Sequence, residues 1–260
     1  MRVSLGNLLA YRMNFFLQII GPTLVFFFIK YSLWKNIFGQ EAPQSPVTLQ
    51  GYTFPQMMTY HFWVMMVSLV GQGHTSMNLS EDIRMGRIST YLIYPFNFWE
   101  FHTASFLSFL GLQLFMAGIT LGGVLGLTSL PLISTLSSFL AGVFLTLLVS
   151  CLWFCIQYLL GLMSFWLEET WVLRVIFMIV AQFLSGAILP LEFFPSYLRK
   201  ALIWTPFPYM TFGPVKFFMN QAPFSMLQSV LVLLLWTLLI LALVRWVWQR
   251  GLSLYTAAGM

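Results

Sequence analysis

Six apolar runs, each long enough to cross a bilayer, take up most of this chain, and only 12 Lys and Arg with 7 Asp and Glu stand among them. A soluble domain needs a polar coat, and ordinary soluble domains are about a quarter charged. Here the charged share is 7%, the hydrophobic share 59% and the mean hydropathy +0.85. The membrane class follows. About 20 apolar residues span a bilayer core, so the length suits about six spans with modest loops. The expected fold is an all-α membrane protein forming a single domain over 1–260. A sizeable aqueous domain is excluded. The net charge of +5 reads as topology, because no Lys/Arg-rich run marks a nucleic-acid surface.

The expected spans are 13–34, 55–77, 99–126, 132–163, 170–190 and 223–247. The first follows Arg2 and Arg12, is long for a signal-peptide core and lacks a small-residue cleavage pattern, so it reads as a retained span. Pro22 inside it can kink the helix. A polar loop rich in Pro, Gly and Gln follows Trp34, and LTSLP at 127–131 reads as a tight turn. With the N-terminus inside, Arg2, Arg12, Arg84, Arg87, Arg174, Arg245 and Arg250 are cytoplasmic, against Lys30, Lys35, Arg199, Lys200 and Lys216 outside. This balance places both termini in the cytoplasm. Small residues recur at four-residue spacing in span 3 (Gly118, Gly122, Gly126) and span 4 (Ser138, Gly142, Thr146, Ser150). Such stripes let helix backbones approach, so spans 3 and 4 are expected to pack across their turn.

The stretch EDIRMGRISTYLIYPF, 81–96, holds four charges within seven residues: Glu81, Asp82, Arg84 and Arg87. Residues 79–92 can form one amphipathic helix capped by Ser80, with acids in its first turn. Ile88 and Leu92 lie on its apolar side, and Gly86 leaves a gap in its surface. Pro95 ends it, and Phe96, Phe98 and Trp99 form an aromatic belt where span 3 begins. Two readings are open on physical grounds: an interfacial helix meeting anionic headgroups, or a docking helix for a soluble partner. A second stretch, 184–218, carries Pro190, Pro195, Pro206, Pro208 and Pro214. It is too broken for one span and too aromatic for a solvated loop. SYLRKALIW within it can form two helical turns capped by Ser196. A re-entrant hairpin fits, and irregular backbone at that depth must be covered by protein or line a wet cavity. A lipid-facing aromatic belt is the alternative.

These stretches also carry a resemblance. YRMNFF (11–16), FPQMMTY (54–60), EDIRMGRISTYLIYPF (81–96), FWLEETWVLR (165–174), LSGAILPLEFFP (184–195) and PFPY (206–209) resemble, in order and spacing, ABC-2 type exporter permeases of the compact six-span kind. The resemblance implies that 81–92 is a coupling helix seated in a cytoplasmic ATPase, with Glu81, Asp82, Arg84, Met85, Gly86, Arg87 and Ile88 at the contact. It implies an N-terminal arm, roughly 1–12, along the inner interface. It implies a hairpin that closes the outer end of the path, with Pro190, Glu192, Pro195, Pro206 and Pro208 as gate residues. The implied setting is the bacterial inner membrane. The implied partners are an ABC ATPase dimer and a second permease, identical or related, with membrane lipids around them.

No GxxxxGK[ST] precedes any of the four lysines, so this chain is expected to bind no cofactor itself, and ATP and Mg belong to the partner ATPase. No HExxH or GxSxG stands in the sequence either. Glu168 and Glu169 diverge on a helix, and Glu169 is expected to satisfy Arg174 or the headgroups. Cys151 and Cys155, four apart, read as small buried hydrophobes. No catalytic residue and no metal site are expected. His61, Gln157 and Gln182 are polar groups at membrane depth, read as path-lining or as helix-to-helix hydrogen bonds. A path so poor in fixed charge suits an amphipathic or apolar substrate: a lipid, drug, peptide or glycan conjugate. The rival functions are a non-transporting scaffold for a cytoplasmic partner, an intramembrane lipid-modifying enzyme using Glu100, His102 or His61, and a secondary transporter.

Overall fold

The computed structural model describes residues 12–39, 48–73, 77–93, 97–127, 132 and 135–254. The N-terminal arm before Arg12, the turn at 128–131, Pro95 and Phe96 lie outside the described residues. The regular structure among the described residues is helical, joined by turns and short loops, apart from one isolated bridge pairing Leu49 with Tyr52. Among the described residues three helices are long and apolar enough to cross a membrane by length and composition: α5 (Phe98–Leu127), α6 (Leu136–Leu162) and α11 (Met226–Leu254). Before them come α1 (Arg12–Gly39) and α2 (Phe54–Gly71), then the short pair α3 (Met77–Arg84) and α4 (Ile88–Ile93). Between α6 and α11 lie α7 (Trp171–Leu184), α8 (Ser196–Leu202), α9 (Phe207–Met210) and α10 (Phe212–Phe218).

α6 is the centre of the bundle. It packs along α11, and along α2 and α10 near its start. The small-residue stripe explains this. A Cβ at Gly142 would fall 2.7 Å from the Phe218 ring, and one at Gly71 would fall 3.1 Å from Val149. Ser138 donates to the Asn220 side chain over 2.7 Å. The stripe of span 4 therefore receives α10 and the end of α2, and not span 3 as expected. α5 meets α6 through rings instead, with Phe106 stacked on Phe154 at 4.6 Å between centroids. At Gly118, Gly122 and Gly126 an added Cβ would meet nothing within 4 Å. The expected close packing of spans 3 and 4 is thus replaced by an aromatic contact at one end and separation at the other.

Two boundaries move. α2 stops at Gly71, short of the expected 77, and Gln72 turns away to donate to the Thr211 hydroxyl over 3.0 Å. α7 has 14 residues where a span over 170–190 was expected. It stops because Gly186 takes φ +82°, a left-handed turn held by Tyr60, whose hydroxyl donates to the Gly186 carbonyl over 2.6 Å. At 1.5 Å per residue, α7 covers about 21 Å. The chain then doubles back through α8, α9 and α10, and the Phe212 amide returns to the Ser185 carbonyl over 3.0 Å. Cys155 is buried, but Cys151 is exposed, so only one of the two serves as core.

Candidate functional site

The charged stretch is a helix, a turn and a second helix, not the single helix expected for 79–92. α3 ends at Arg84. The Gly86 amide donates to the Ile83 carbonyl (3.2 Å) and the Arg87 amide to the Asp82 carbonyl (2.9 Å). These two bonds form a Schellman cap, which requires a left-handed residue after the helix. Gly86 supplies it, at φ +74°. Its role is therefore backbone geometry and not a gap in the surface. Ser80 is no cap either, since α3 begins at Met77. Its hydroxyl accepts from Thr170 (3.0 Å) and from Arg174, and donates to the Gly161 carbonyl (3.5 Å).

These bonds fix the turn to the ends of α6 and α7. Leu79, Ile83 and Ile88 are buried with Tyr158, Leu162 and Val247 beneath it. Asp82 is buried and bridges both halves: it accepts from Arg87 (3.3 Å) and from the Tyr91 hydroxyl (3.1 Å). Arg84 pairs with Glu169 at 2.6 Å and reaches the Glu168 carbonyl at 3.4 Å. Glu169 thus finds Arg84, while Arg174, its expected partner, turns to Ser80. What remains outward is a compact patch of Arg84, Met85 and Arg87, all exposed, with Glu81 half-buried beside them. The anchoring residues Thr170, Arg174 and Tyr91 were not foreseen as a unit. Their signal was the acidic pair Glu168–Glu169 beside basic residues at a predicted span end.

The opposite end carries a different use of charge. Lys216 on α10 is 7% exposed and pairs with Glu192 at 2.7 Å, whose side chain is 26% exposed. The Lys216 ammonium also lies 4.5 Å from the Tyr52 ring centroid and donates to Gln221 over 3.2 Å. Burial first, and the Glu192 carboxylate second, hold the Tyr52 phenol above its usual range. Lys30 on α1 is buried and donates to the Ile188 carbonyl over 2.7 Å. Both lysines were counted among the outside charges; here Lys30 ties α1 to the start of the hairpin, and Lys216 is packed within it. Pro190 precedes a 3-10 turn at Leu191–Phe193, Pro195 precedes α8, so Ser196 is its first residue and not its cap, and Pro206 and Pro208 open α9. Four of the predicted gate residues therefore act as stops and starts for short helices, and Glu192 as the ion-pair partner.

The three polar groups read as lying at depth sit on three different helices, α2, α6 and α7. His61 is 1% exposed, and its Nε2 accepts from the Trp34 indole over 2.7 Å, which puts the ring proton on Nδ1. Gln157 is buried in α6, and Gln182 is exposed on α7. Among the described residues no cluster of three or more His, Cys, Asp or Glu could hold a metal ion.

A bundle of apolar helices with a charged turn packed at one end and a hairpin of short helices at the other defines a multi-pass helical membrane protein. A family model described as ABC-2 family transporter protein matches residues 24–259, and the chain belongs to that family. No curated protein and no solved structure matches it. The family makes the chain a permease component of an ABC transporter, working with an ABC ATPase.

Proposed function

We propose that this chain is one permease half of an ATP-driven exporter that moves an amphipathic or apolar substrate outward across the bacterial inner membrane. Six crossings are inferred: α1, α2, α5, α6, α7 together with the hairpin, and α11, with both termini cytoplasmic. Two such permeases, identical or related, enclose the path, and two ATPase subunits dock below. ATP and Mg act in those subunits.

The observation that carries this reading is the charged turn. Its backbone is fixed by a Schellman cap, its underside is bonded to two helices, and Arg84, Met85 and Arg87 face outward. A lipid-facing helix needs no such bracing. A surface that transmits a push does, because a soft turn would absorb the displacement. Motion of the turn passes to α6 and α7 directly, and α7 leads to Gly186 and the hairpin. The Lys216–Glu192 pair then serves as an outer clasp.

The test is transport in proteoliposomes with the cognate ATPase. Arg84→Glu with Arg87→Glu is expected to abolish ATP-driven transport while the protein still inserts and assembles. Export at the normal rate by that double variant refutes the coupling role. Co-purification in gentle detergent reports the partners: an ATPase in roughly equal amount is expected, and its absence returns the scaffold reading.

A further inference from the structure

A cleft of about 290 Å³ lies where α2, α5, α6 and α10 come together. Neither the charged turn nor the Lys216 network uses it. Its walls include Trp63 and Val67 of α2, Leu114, Gly118 and Leu121 of α5, and Val143 of α6. Trp63 and Phe218 are stacked face to face, with centroids 3.9 Å apart, and make one end. The hydroxyl among the lining residues, that of Thr146, already donates to the Gly142 carbonyl over 2.7 Å. A polar ligand would therefore leave its own groups unpaired at a high cost. Water gains little in such a lining, since apolar cavities stay dry.

The cleft exists because of where the glycines sit. Gly118 points into space that a Cβ would not fill, whereas Gly142 is pressed against Phe218. α5 thus stands off from α6 beside the cleft. On the flanks Phe115, Ile119, Leu140 and Phe144 are exposed, so its walls run on into the apolar outer surface of α5 and α6. Both are long and apolar enough to cross a membrane, and in a bilayer such a surface meets hydrocarbon.

We propose that the cleft binds one hydrocarbon chain of a bilayer phospholipid, entering sideways between α5 and α6. The volume lies at the lower end of small-molecule pockets, about 300 Å³. A helix of a second copy is too wide to enter the cleft, at about 10–12 Å across with its side chains. The bound chain touches Trp63 and Phe218 together, and so rests on the seam between α2 and the hairpin. This site does not depend on the transport reading.

The test is photolabelling of the full chain in nanodiscs of phosphatidylcholine and phosphatidylglycerol, doped with a phospholipid bearing a diazirine midway along one acyl chain. Adducts mapped by mass spectrometry are expected at Leu114, Leu121 and Val143 several-fold above those at exposed Phe115 and Ile119. Gly118→Leu places a side chain in open space and is expected to cut the cleft adducts several-fold, leaving the outer-face adducts and the thermal transition unchanged. Val143→Phe, entering from the opposite wall, is expected to do the same. Even labelling of cleft and outer face overturns the proposal, as does cleft labelling that neither variant reduces. So does efficient disulfide-linked dimer formation by Gly118→Cys, which would put a second copy there instead.

Discussion

The two ends of this molecule use the same side-chain chemistry under opposite solvation. At the charged turn, Arg84 and Glu169 pair at 2.6 Å with side chains 48% and 68% exposed. At the hairpin, Lys216 and Glu192 pair at almost the same distance, but the lysine is 7% exposed. An exposed pair is worth about 0–1 kcal/mol, whereas stranding one member of a buried pair costs about 3–5 kcal/mol. Charge at the turn is therefore free to serve recognition. Charge at the hairpin is committed to holding short helices together.

This contrast can be broken most directly at the hairpin. Glu192→Leu leaves the Lys216 ammonium buried without its carboxylate and is expected to lower stability by about 3 kcal/mol, near the low end because Glu192 is partly solvated. Adding Lys216→Met should recover most of that loss. Thermal unfolding in detergent measures both, and an unchanged midpoint in the single variant would equate the two ends. Next in size is Gly142→Ala, which pushes a methyl into the Phe218 ring and is expected to cost about 1–3 kcal/mol. A lowered thermal midpoint, with altered tryptophan emission from the disturbed Trp63–Phe218 stack, would report it. Gly86→Ala at the turn forces a left-handed backbone on an L-residue, for about 1–2 kcal/mol. That cost should appear as local opening, read by hydrogen exchange over 82–88, with little change in the global midpoint. Smallest is Arg84→Ala, expected to cost under about 1 kcal/mol of stability while reducing ATPase-coupled transport several-fold. A variant that unfolds the protein instead would make the turn as structural as the hairpin.

Much of this was legible in advance, for physical reasons. Apolar runs and scarce charge leave no alternative to a membrane bundle, and Pro190 through Pro214 forbid a plain helix whatever the packing. The position of the charged turn was equally plain, since charge avoids the interior of a bilayer. Its internal geometry was not. A glycine inside a helical pattern reads as a gap or as a cap, and only the backbone bonds from Gly86 and Arg87 decide. Pairing partners were also hidden. Glu169 had Arg174 within one helix, but the helix begins at Trp171, and the tertiary fold brings Arg84 closer. Lys30 and Lys216 counted simply as outside charges, because sequence cannot show that the Ile188 carbonyl and the Glu192 carboxylate meet them in the fold. The stripe of Gly118, Gly122 and Gly126 signals close approach but not which helix takes it, and here no Cβ contact fills those positions.

The shortness of α7 acts on the membrane as well as on the protein. Its 14 residues present Trp171, Val172, Ile176, Ile179 and Phe183 as an exposed apolar stripe. That stripe spans about 21 Å, against a hydrocarbon layer of about 30 Å. The crossing proposed above therefore needs the hairpin to make up the remaining length, and the exposed apolar surface does continue past α7 at Ile188. Any length left unmatched would be met by lipids compressing beside α7, at a fraction of a kcal/mol per ångström.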